Sequence, residues 1–211
     1  ILYLTRKIGT LENLASNDSN YWIGKNLNLS MRRLNTLSLG IIGLGRIGGS
    51  IAKKFSQFTR KIGFYDPYLP NGYEKIFGIN RYNDLSKLLQ VSDIVSVNTP
   101  LNKETKGMIN IYHLNLMPKG SCLVNAARGG VVSEEAILES LNSKHLSAVA
   151  IDTWENEPAP RKDLIEHPNV YTSPHIGAST KEAQEAVSKC LLQQIHKVLK
   201  GQHVDYPVNL P

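Results

Sequence analysis

Two rhythms of apolar and polar positions alternate along this chain. Mainly apolar runs, the pattern of strands buried on both faces, occupy 37–42, 61–65, 93–97, 121–125, 146–151 and, more briefly, 169–172. Between them, helical spacing covers 48–58, 84–89, 133–141 and the longest stretch, 179–199. Asp84 and Ser133 stand where an N-cap oxygen is needed. Glu134 and Glu135 put negative charge in the first turn that follows. A full capping box is absent, because the third residue after Ser133 is Ala136. Ahead of this series, Leu2, Leu4, Ile8, Leu11 and Leu14 predict an amphipathic helix over 1–14, interrupted or ended near Gly9. The Asn- and Ser-rich stretch 15–30 reads as loop, anchored by Tyr21 and Trp22. A last extended piece is expected over 204–209.

Strands alternating with helices at this spacing predict an α/β fold, a Rossmann-type doubly wound parallel sheet covered on both faces. In such a sheet the ligand lies beyond the carboxyl ends of the strands. Asp66, Asn98, Thr99, Arg128, Asp152 and His175 each follow a strand-like run, so the fold would gather them at one edge.

The run Gly43-Leu44-Gly45-Arg46-Ile47-Gly48 sits directly behind the first of these strands. Gly43 would permit a tight turn, Gly45 a close approach of backbone to phosphate, and Gly48 close packing of helix on strand. The free N–H groups of the helix start would face an anion, best a dinucleotide pyrophosphate. Asp66 closes the next strand, about twenty residues on, where a carboxylate grips the ribose hydroxyls and repels the extra phosphate of NADP. Asp66-Pro67 could equally mark a turn.

Arg128, between Asn125-Ala126-Ala127 and Gly129-Gly130, is placed to clamp a carboxylate, or to pair with Glu134 or Glu135 at the surface. His175 has the chemistry to pass a proton near neutral pH. Glu157 could orient it, and so could Glu155. No HxxxH, CxxC or HExxH spacing points to a metal, and no GxSxG elbow points to a serine nucleophile.

Composition narrows the field. Lys and Arg number 24 against 18 Asp and Glu, a net charge of +6, but the basic residues are scattered. A nucleotide or anionic metabolite accounts for that balance better than nucleic acid does. No run reaches the length of a membrane span, and the start lacks the order of a signal peptide. Cys122 and Cys190 are both expected to be buried and inert, which suits the cytoplasm. Ile1 is not an initiator methionine, so the chain is expected to be processed or partial.

These stretches together resemble the NAD-dependent D-isomer-specific 2-hydroxyacid dehydrogenases. Besides the glycine run, the resemblance is carried by Asp93-Ile94-Val95-Ser96-Val97-Asn98-Thr99-Pro100-Leu101, by Met117-Pro118-Lys119-Gly120 and by Asn125-Ala126-Ala127-Arg128-Gly129-Gly130-Val131-Val132. It continues through Asp152-Thr153-Trp154-Glu155-Asn156-Glu157-Pro158 and Ser173-Pro174-His175-Ile176-Gly177-Ala178-Ser179-Thr180. It implies that Arg128 binds the substrate carboxylate and polarises the carbonyl, that His175 is the acid–base, and that Glu157 is its carboxylate partner. NAD is the implied cofactor, held by Gly43, Gly45, Arg46, Ile47, Gly48, Asp66, Asn98, Thr99, Ala126, Ala127, Arg128, Asp152, His175 and Gly177. Position 98 is often histidine in the family, and Asn98 here alters the polarity of the cleft.

The stretch from His175 to Gln184 is most similar to the phosphoglycerate dehydrogenases, which enter serine synthesis. D-lactate, glyoxylate or hydroxypyruvate reduction is an alternative. The stretch from Phe64 to Pro70 is also similar to the C-terminal-binding-protein corepressors, which share the fold and bind NAD. The resemblance implies an interdomain helix and linker over 1–35, the NAD-binding domain over 36–177, and a return helix and tail over 178–211. The outer pieces would be remnants of a flavodoxin-like substrate domain, most of which precedes the point matching Ile1 in the family. A homodimer and a small anionic 2-hydroxy or 2-keto acid substrate are the implied partners.

Overall fold

Among the described residues, seven short strands rich in β-branched and aliphatic residues form one sheet, and their apolar side chains point alternately to its two faces. The computed structural model describes residues 1, 32–205 and 207. The helix expected over 1–14 therefore lies outside the described residues except for Ile1, and so do the loop at 15–30 and residues 206, 208 and 209 of the piece expected over 204–209.

The strands are β1 (Leu39–Ile42), β2 (Ile62–Tyr65), β3 (Asn80–Arg81), β4 (Ile94–Val97), β5 (Ser121–Asn125), β6 (Leu146–Ile151) and β7 (Val170–Thr172). The helices are α1 (Arg46–Phe55), α2 (Tyr73–Phe77), α3 (Leu85–Gln90), α4 (Ile111–Leu116), α5 (Glu134–Asn142), α6 (Lys162–Ile165) and α7 (Lys181–Leu199). All strand pairs are parallel and their order is β3-β2-β1-β4-β5-β6-β7. The order reverses between β1 and β4, and that crevice is where an open α/β sheet binds its ligand.

Neighbouring residues of one strand enter different cores. Ile41 joins Leu39, Phe64, Ala52 and Leu44, with Phe55 and Phe77 of α1 and α2 packed over them. Ile42 joins Val95, Val97, Leu123, Leu114 and Leu141, under α3, α4 and α5. Phe64 is wholly buried, and a phenyl group so placed contributes about 1.5–3 kcal/mol. Arg81 lies over its ring, 5.0 Å from the centroid, and donates to the Leu69 and Pro70 carbonyls at 3.1 and 2.6 Å. This ties the edge strand to the loop that follows β2.

Both expected caps form. Asp84 accepts the Ser86 N–H at 2.8 Å, and Ser133 accepts the Ala136 N–H at 3.2 Å. Below the carboxyl edge, β1 and β4 are stapled at their starts. Asp93 accepts the N–H and the hydroxyl of Ser38, at 2.9 and 2.8 Å, and the Arg32 guanidinium. Burial opposes the Asp93 charge, but the Ser38 and Arg32 donors outweigh it and hold the carboxyl below the ordinary aspartate range.

The chain divides into two compact units, Ile1–Pro174 and His175–Pro211. The sheet lies in the first. The second carries α7, whose N-cap Thr180 accepts the Ala183 N–H at 3.1 Å through its hydroxyl oxygen. Cys122 is buried as expected, whereas Cys190 is half-buried, because no residue of α7 is buried.

Candidate active site

The glycine run folds as a turn from β1 into α1, and its three glycines answer three different demands. Gly43 has φ 84°, in the left-handed region that glycine adopts without strain. A Cβ on Gly48 would fall 2.1 Å from the Gly43 carbonyl oxygen, so the helix could not seat against the turn. Gly45 has nothing within 4 Å of where its Cβ would be, which leaves that face open for a ligand to meet the backbone. Gly45 caps α1 without a side-chain bond, and Arg46 and Ile47 of the first turn are exposed. The opening N–H groups of a helix have no partner within it, so this end suits an anion.

Asp66 stands at the end of β2 and binds the turn directly. Its carboxylate accepts the Leu44 N–H at 2.9 Å and the Tyr68 N–H at 3.0 Å. A cavity of about 370 Å³ opens here, lined by Gly43, Gly45, Asp66, Tyr68, Thr99 and Met108 among others. The Thr99 hydroxyl is buried with no hydrogen-bond partner among the described residues, so the wall offers an unused polar group. The Asn98 amide instead folds back on Ser96, donating to its carbonyl at 3.0 Å.

Further along the carboxyl edge, β5 ends in a braced turn. The Asn125 side chain accepts the Ala127 N–H and donates to the Arg128 carbonyl, both at 3.3 Å. Arg128 is exposed, with Nη1 donating to the Ala127 carbonyl at 2.7 Å. The alternative partners for Arg128 are taken up elsewhere. Glu135 pairs with Arg161, and Glu134 bonds Glu155.

That second pairing is reciprocal. The Glu134 N–H donates to the Glu155 carboxylate at 2.8 Å, and the Glu155 N–H donates to the Glu134 carboxylate at 2.7 Å. Glu155, from a distant loop, so accepts the first N–H of α5, one that Ser133 leaves unpaired. Burial pushes the Glu134 carboxyl up, and the neighbouring Glu155 charge adds to that rise. Beside this pair Gly129 is pressed so close that a Cβ would sit 1.8 Å from the Trp154 carbonyl oxygen.

The loop after β6 carries the other candidates. Asp152 accepts the Ser173 hydroxyl at 2.6 Å. Glu157 accepts the Trp154 N–H at 2.9 Å, and the Trp154 indole N–H donates to the Ser173 carbonyl at 3.1 Å. A groove of about 340 Å³ runs past Asn125, Ala126, Asp152 and Ser173. The first unit thus gathers Gly43, Gly45, Asp66, Asn98 and Thr99 around one cavity. It links Arg128, Asp152 and Glu157 through two adjoining loops. His175 and Gly177 belong to the second unit, where His175 is exposed with φ 55°, an uncommon backbone for histidine. Among the described residues no cluster of three or more His, Cys, Asp or Glu could hold a metal, and no helix is long and apolar enough to cross a membrane.

Residues 1–177 match the model of the D-isomer specific 2-hydroxyacid dehydrogenase, NAD binding domain. The chain belongs to this family. Its cofactor is accordingly NAD, and the open face at Gly45, the Asp66 carboxylate and the unused Thr99 hydroxyl fit that group.

Among the dehydrogenase relatives, the D-3-phosphoglycerate dehydrogenase of Bacillus subtilis is 41% identical over 174 residues, 82% of this chain and 33% of that enzyme. The glyoxylate reductase of Thermofilum pendens is 39% identical over 166 residues, 78% of this chain and 49% of that enzyme. The chain therefore spans a third to a half of the length of these relatives. The holo form of Rhodotorula graminis D-mandelate dehydrogenase superposes with a TM-score of 0.89 at 29% identity, over 99% of this chain and 62% of that one.

Sequence reasoning did not find Trp154, Ser173 or the Glu134–Glu155 pair as supports of the site. Glu134 carried a signal only as a helix-start carboxylate, and nothing local marks its partner.

Proposed function

We propose that this chain is the cofactor-binding part of an enzyme that interconverts a D-2-hydroxy acid and its 2-keto acid. The observation that carries the reading is the exposed Arg128, held on a braced turn beside the loop of Asp152 and Glu157. A guanidinium so presented binds a carboxylate in bidentate fashion and stabilises charge growing on an adjacent carbonyl oxygen.

The backbone at Gly45, Arg46 and Ile47 would hold the pyrophosphate of NAD, with Gly43 and Gly48 shaping the turn. Asp66 would hold the ribose. Asn98, Thr99, Ala126, Ala127, Asp152 and Gly177 would line the rest of the cleft, down to the nicotinamide. Bound there, NAD supplies the two-electron redox chemistry. Arg128 orients the substrate by its carboxylate. His175 takes the hydroxyl proton during oxidation and returns it to the carbonyl oxygen during reduction, with Glu157 as its carboxylate partner. In this reading the NAD-binding domain is 36–177, and 1–35 and 178–211 belong to the connection with a substrate domain.

The substrate pair is 3-phosphoglycerate and 3-phosphohydroxypyruvate, in serine synthesis, supported by D-3-phosphoglycerate dehydrogenase relatives at 36–41% identity. The glyoxylate reductase relative supports the alternative of a smaller keto acid. The corepressor-like reading is not favoured, since these relatives are dehydrogenases and reductases. A cytoplasmic homodimer completes the proposal, and two free cysteines suit a reducing compartment.

Steady-state oxidation of NADH with 3-phosphohydroxypyruvate, pyruvate, hydroxypyruvate and glyoxylate tests the reading. We expect turnover of at least one keto acid, lost in His175→Ala and weakened in substrate affinity by Arg128→Lys. A full chain that turns over none of them ends the proposal.

A further inference from the structure

We infer that Glu134 and Glu155 are positioning residues, a reciprocal clasp that fixes the Arg128 turn against the loop of Asp152 and Glu157. The inference rests on the reading that Arg128 and Glu157 serve one reaction.

Three observations carry it. The first is the exchange itself, in which each residue's N–H donates to the other's carboxylate, at 2.8 and 2.7 Å. Two charge-assisted bonds made in opposite directions fix both translation and rotation between the segments. The second is the stiffness of the chain from Arg128 to Glu134. Val131 and Val132 are fully buried, the Gly130 carbonyl accepts the Gly107 N–H at 2.7 Å, and the Ser133 N–H donates to the Ile109 carbonyl at 2.9 Å. A shift at Glu134 is therefore passed along to Arg128 rather than absorbed. The third lies on the other side of the clasp. Glu155 adjoins Trp154, whose carbonyl touches Gly129 and whose N–H is held by Glu157. The pair so ties the backbone beneath Arg128 to the backbone that carries Glu157.

An ordinary helix cap would have needed neither the burial of Glu134, which is 3% exposed, nor the returned bond to Glu155. Ser133 already caps α5, and that makes it the right control. Removing the Ser133 hydroxyl weakens the same helix start without touching the clasp.

The test compares Glu134→Ala, Glu155→Ala, the double variant, Glu134→Gln and Ser133→Ala in the full chain. Glu134→Ala should lower kcat/KM for the keto acid on the order of tenfold to a hundredfold, the cost of a small misplacement at a reacting centre. NADH affinity should fall by less than kcat/KM does, because neither Glu134 nor Glu155 lines the Asp66 cavity, although Ala126, Ala127 and Asp152 lie on the two clasped loops. Glu155→Ala should do the same, and the double variant no worse than either, because the two act as a unit. Glu134→Gln should keep wild-type kcat/KM, since its amide oxygen still accepts the Glu155 N–H. Ser133→Ala should lower Tm and leave kcat/KM alone. Amide exchange should quicken across 128–130 in Glu134→Ala. Losses that multiply in the double variant, or a Glu134→Ala enzyme that only melts earlier, overturn the inference while the dehydrogenase reading stands. Unchanged exchange across 128–130 overturns the clasp even where no turnover is measured, and a wild-type chain without turnover overturns the underlying reading instead.

Discussion

Asp66 and Leu44 are joined by a 2.9 Å hydrogen bond from the Leu44 N–H to the Asp66 carboxylate. The acid that closes β2 thereby holds the glycine turn that closes β1. Two strands that pair side by side deliver their carboxyl ends to one cavity, and this bond sets the distance between them. The carboxylate also accepts the Tyr68 N–H, so it organises its own loop as well as the neighbouring one.

Asp66→Ala is expected to weaken NADH binding and to narrow the preference for NADH over NADPH. A hydrogen bond to a charged group contributes about 1.5–3 kcal/mol, which corresponds to roughly ten- to a hundredfold in Kd. NADPH should lose less, because the variant also removes a charge that repels the extra phosphate. Fluorescence titration with both nucleotides checks this, and equal NADH affinity in wild type and variant would refute the role of Asp66.

The three glycines of the turn should separate in mutagenesis. Gly48→Ala puts a methyl group 2.1 Å from the Gly43 carbonyl oxygen and should destabilise the fold by about 1–3 kcal/mol or more, as overpacking does. Gly45→Ala meets nothing within 4 Å and has an ordinary φ of −68°. Its stability should stay within about 0.5 kcal/mol of wild type, like other surface changes. NADH affinity should nevertheless fall, because the new methyl group occupies the face offered to phosphate. Urea unfolding and nucleotide titration on the same samples decide it, and a Gly45→Ala protein that binds NADH normally would count against a pyrophosphate at that turn.

Asp93 gives the fold an acid-sensitive staple. Its folded-state pKa is depressed, so its contribution is present above the ordinary aspartate value and is lost as pH falls through the lower folded value. Asp93→Asn keeps the shape and removes the charge, and it should cost about 1–2 kcal/mol near neutral pH, the difference between charged and neutral acceptors. The gap between wild type and variant should close in acid. Urea unfolding across that range measures it, and a gap independent of pH would show that the Ser38 and Arg32 bonds do not depend on ionisation.

What was legible in the sequence was what repeats locally. The apolar runs at 121–125 and 146–151 match β5 and β6 residue for residue. The run at 37–42 overshoots β1, because Leu37 is buried without joining the ladder and its carbonyl is taken by the Thr59 hydroxyl. Of the elements of one or two turns, α3 was read over 84–89, while α2, α4, α6 and β3 were not. The helix α2 owes its bounds to Gly72 and Gly78 at φ 102° and 63°, and β3 has two residues and no period. The helix α4 did carry a signal, the Asn110 side chain that accepts the His113 N–H. At the site, residues that follow strands were readable because the fold brings all carboxyl ends to one edge. Glu134 and Glu155 were not, since their pairing joins segments 21 residues apart and leaves no period.

Trp154 connects the loop of Glu157 to the strand end that leads into His175. Its indole N–H donates to the Ser173 carbonyl at 3.1 Å, while its backbone N–H donates to Glu157 at 2.9 Å. Trp154→Phe keeps most of the buried apolar surface and removes only the indole bond. It should cost about 0.5–1.5 kcal/mol, the net value of one neutral hydrogen bond, and lower kcat because the chain entering His175 loses its tether. Ser173→Ala makes the complementary cut, since it leaves the carbonyl for Trp154 and removes the 2.6 Å bond from the hydroxyl to Asp152. Asp152 is read as a cofactor contact, so this variant should weaken NADH binding more than it slows turnover at saturating NADH. Measuring kcat and the NADH Kd for both variants separates the two tethers. Identical effects would mean that Ser173 acts as a single packing point, and the division of labour between Trp154 and Asp152 would fall.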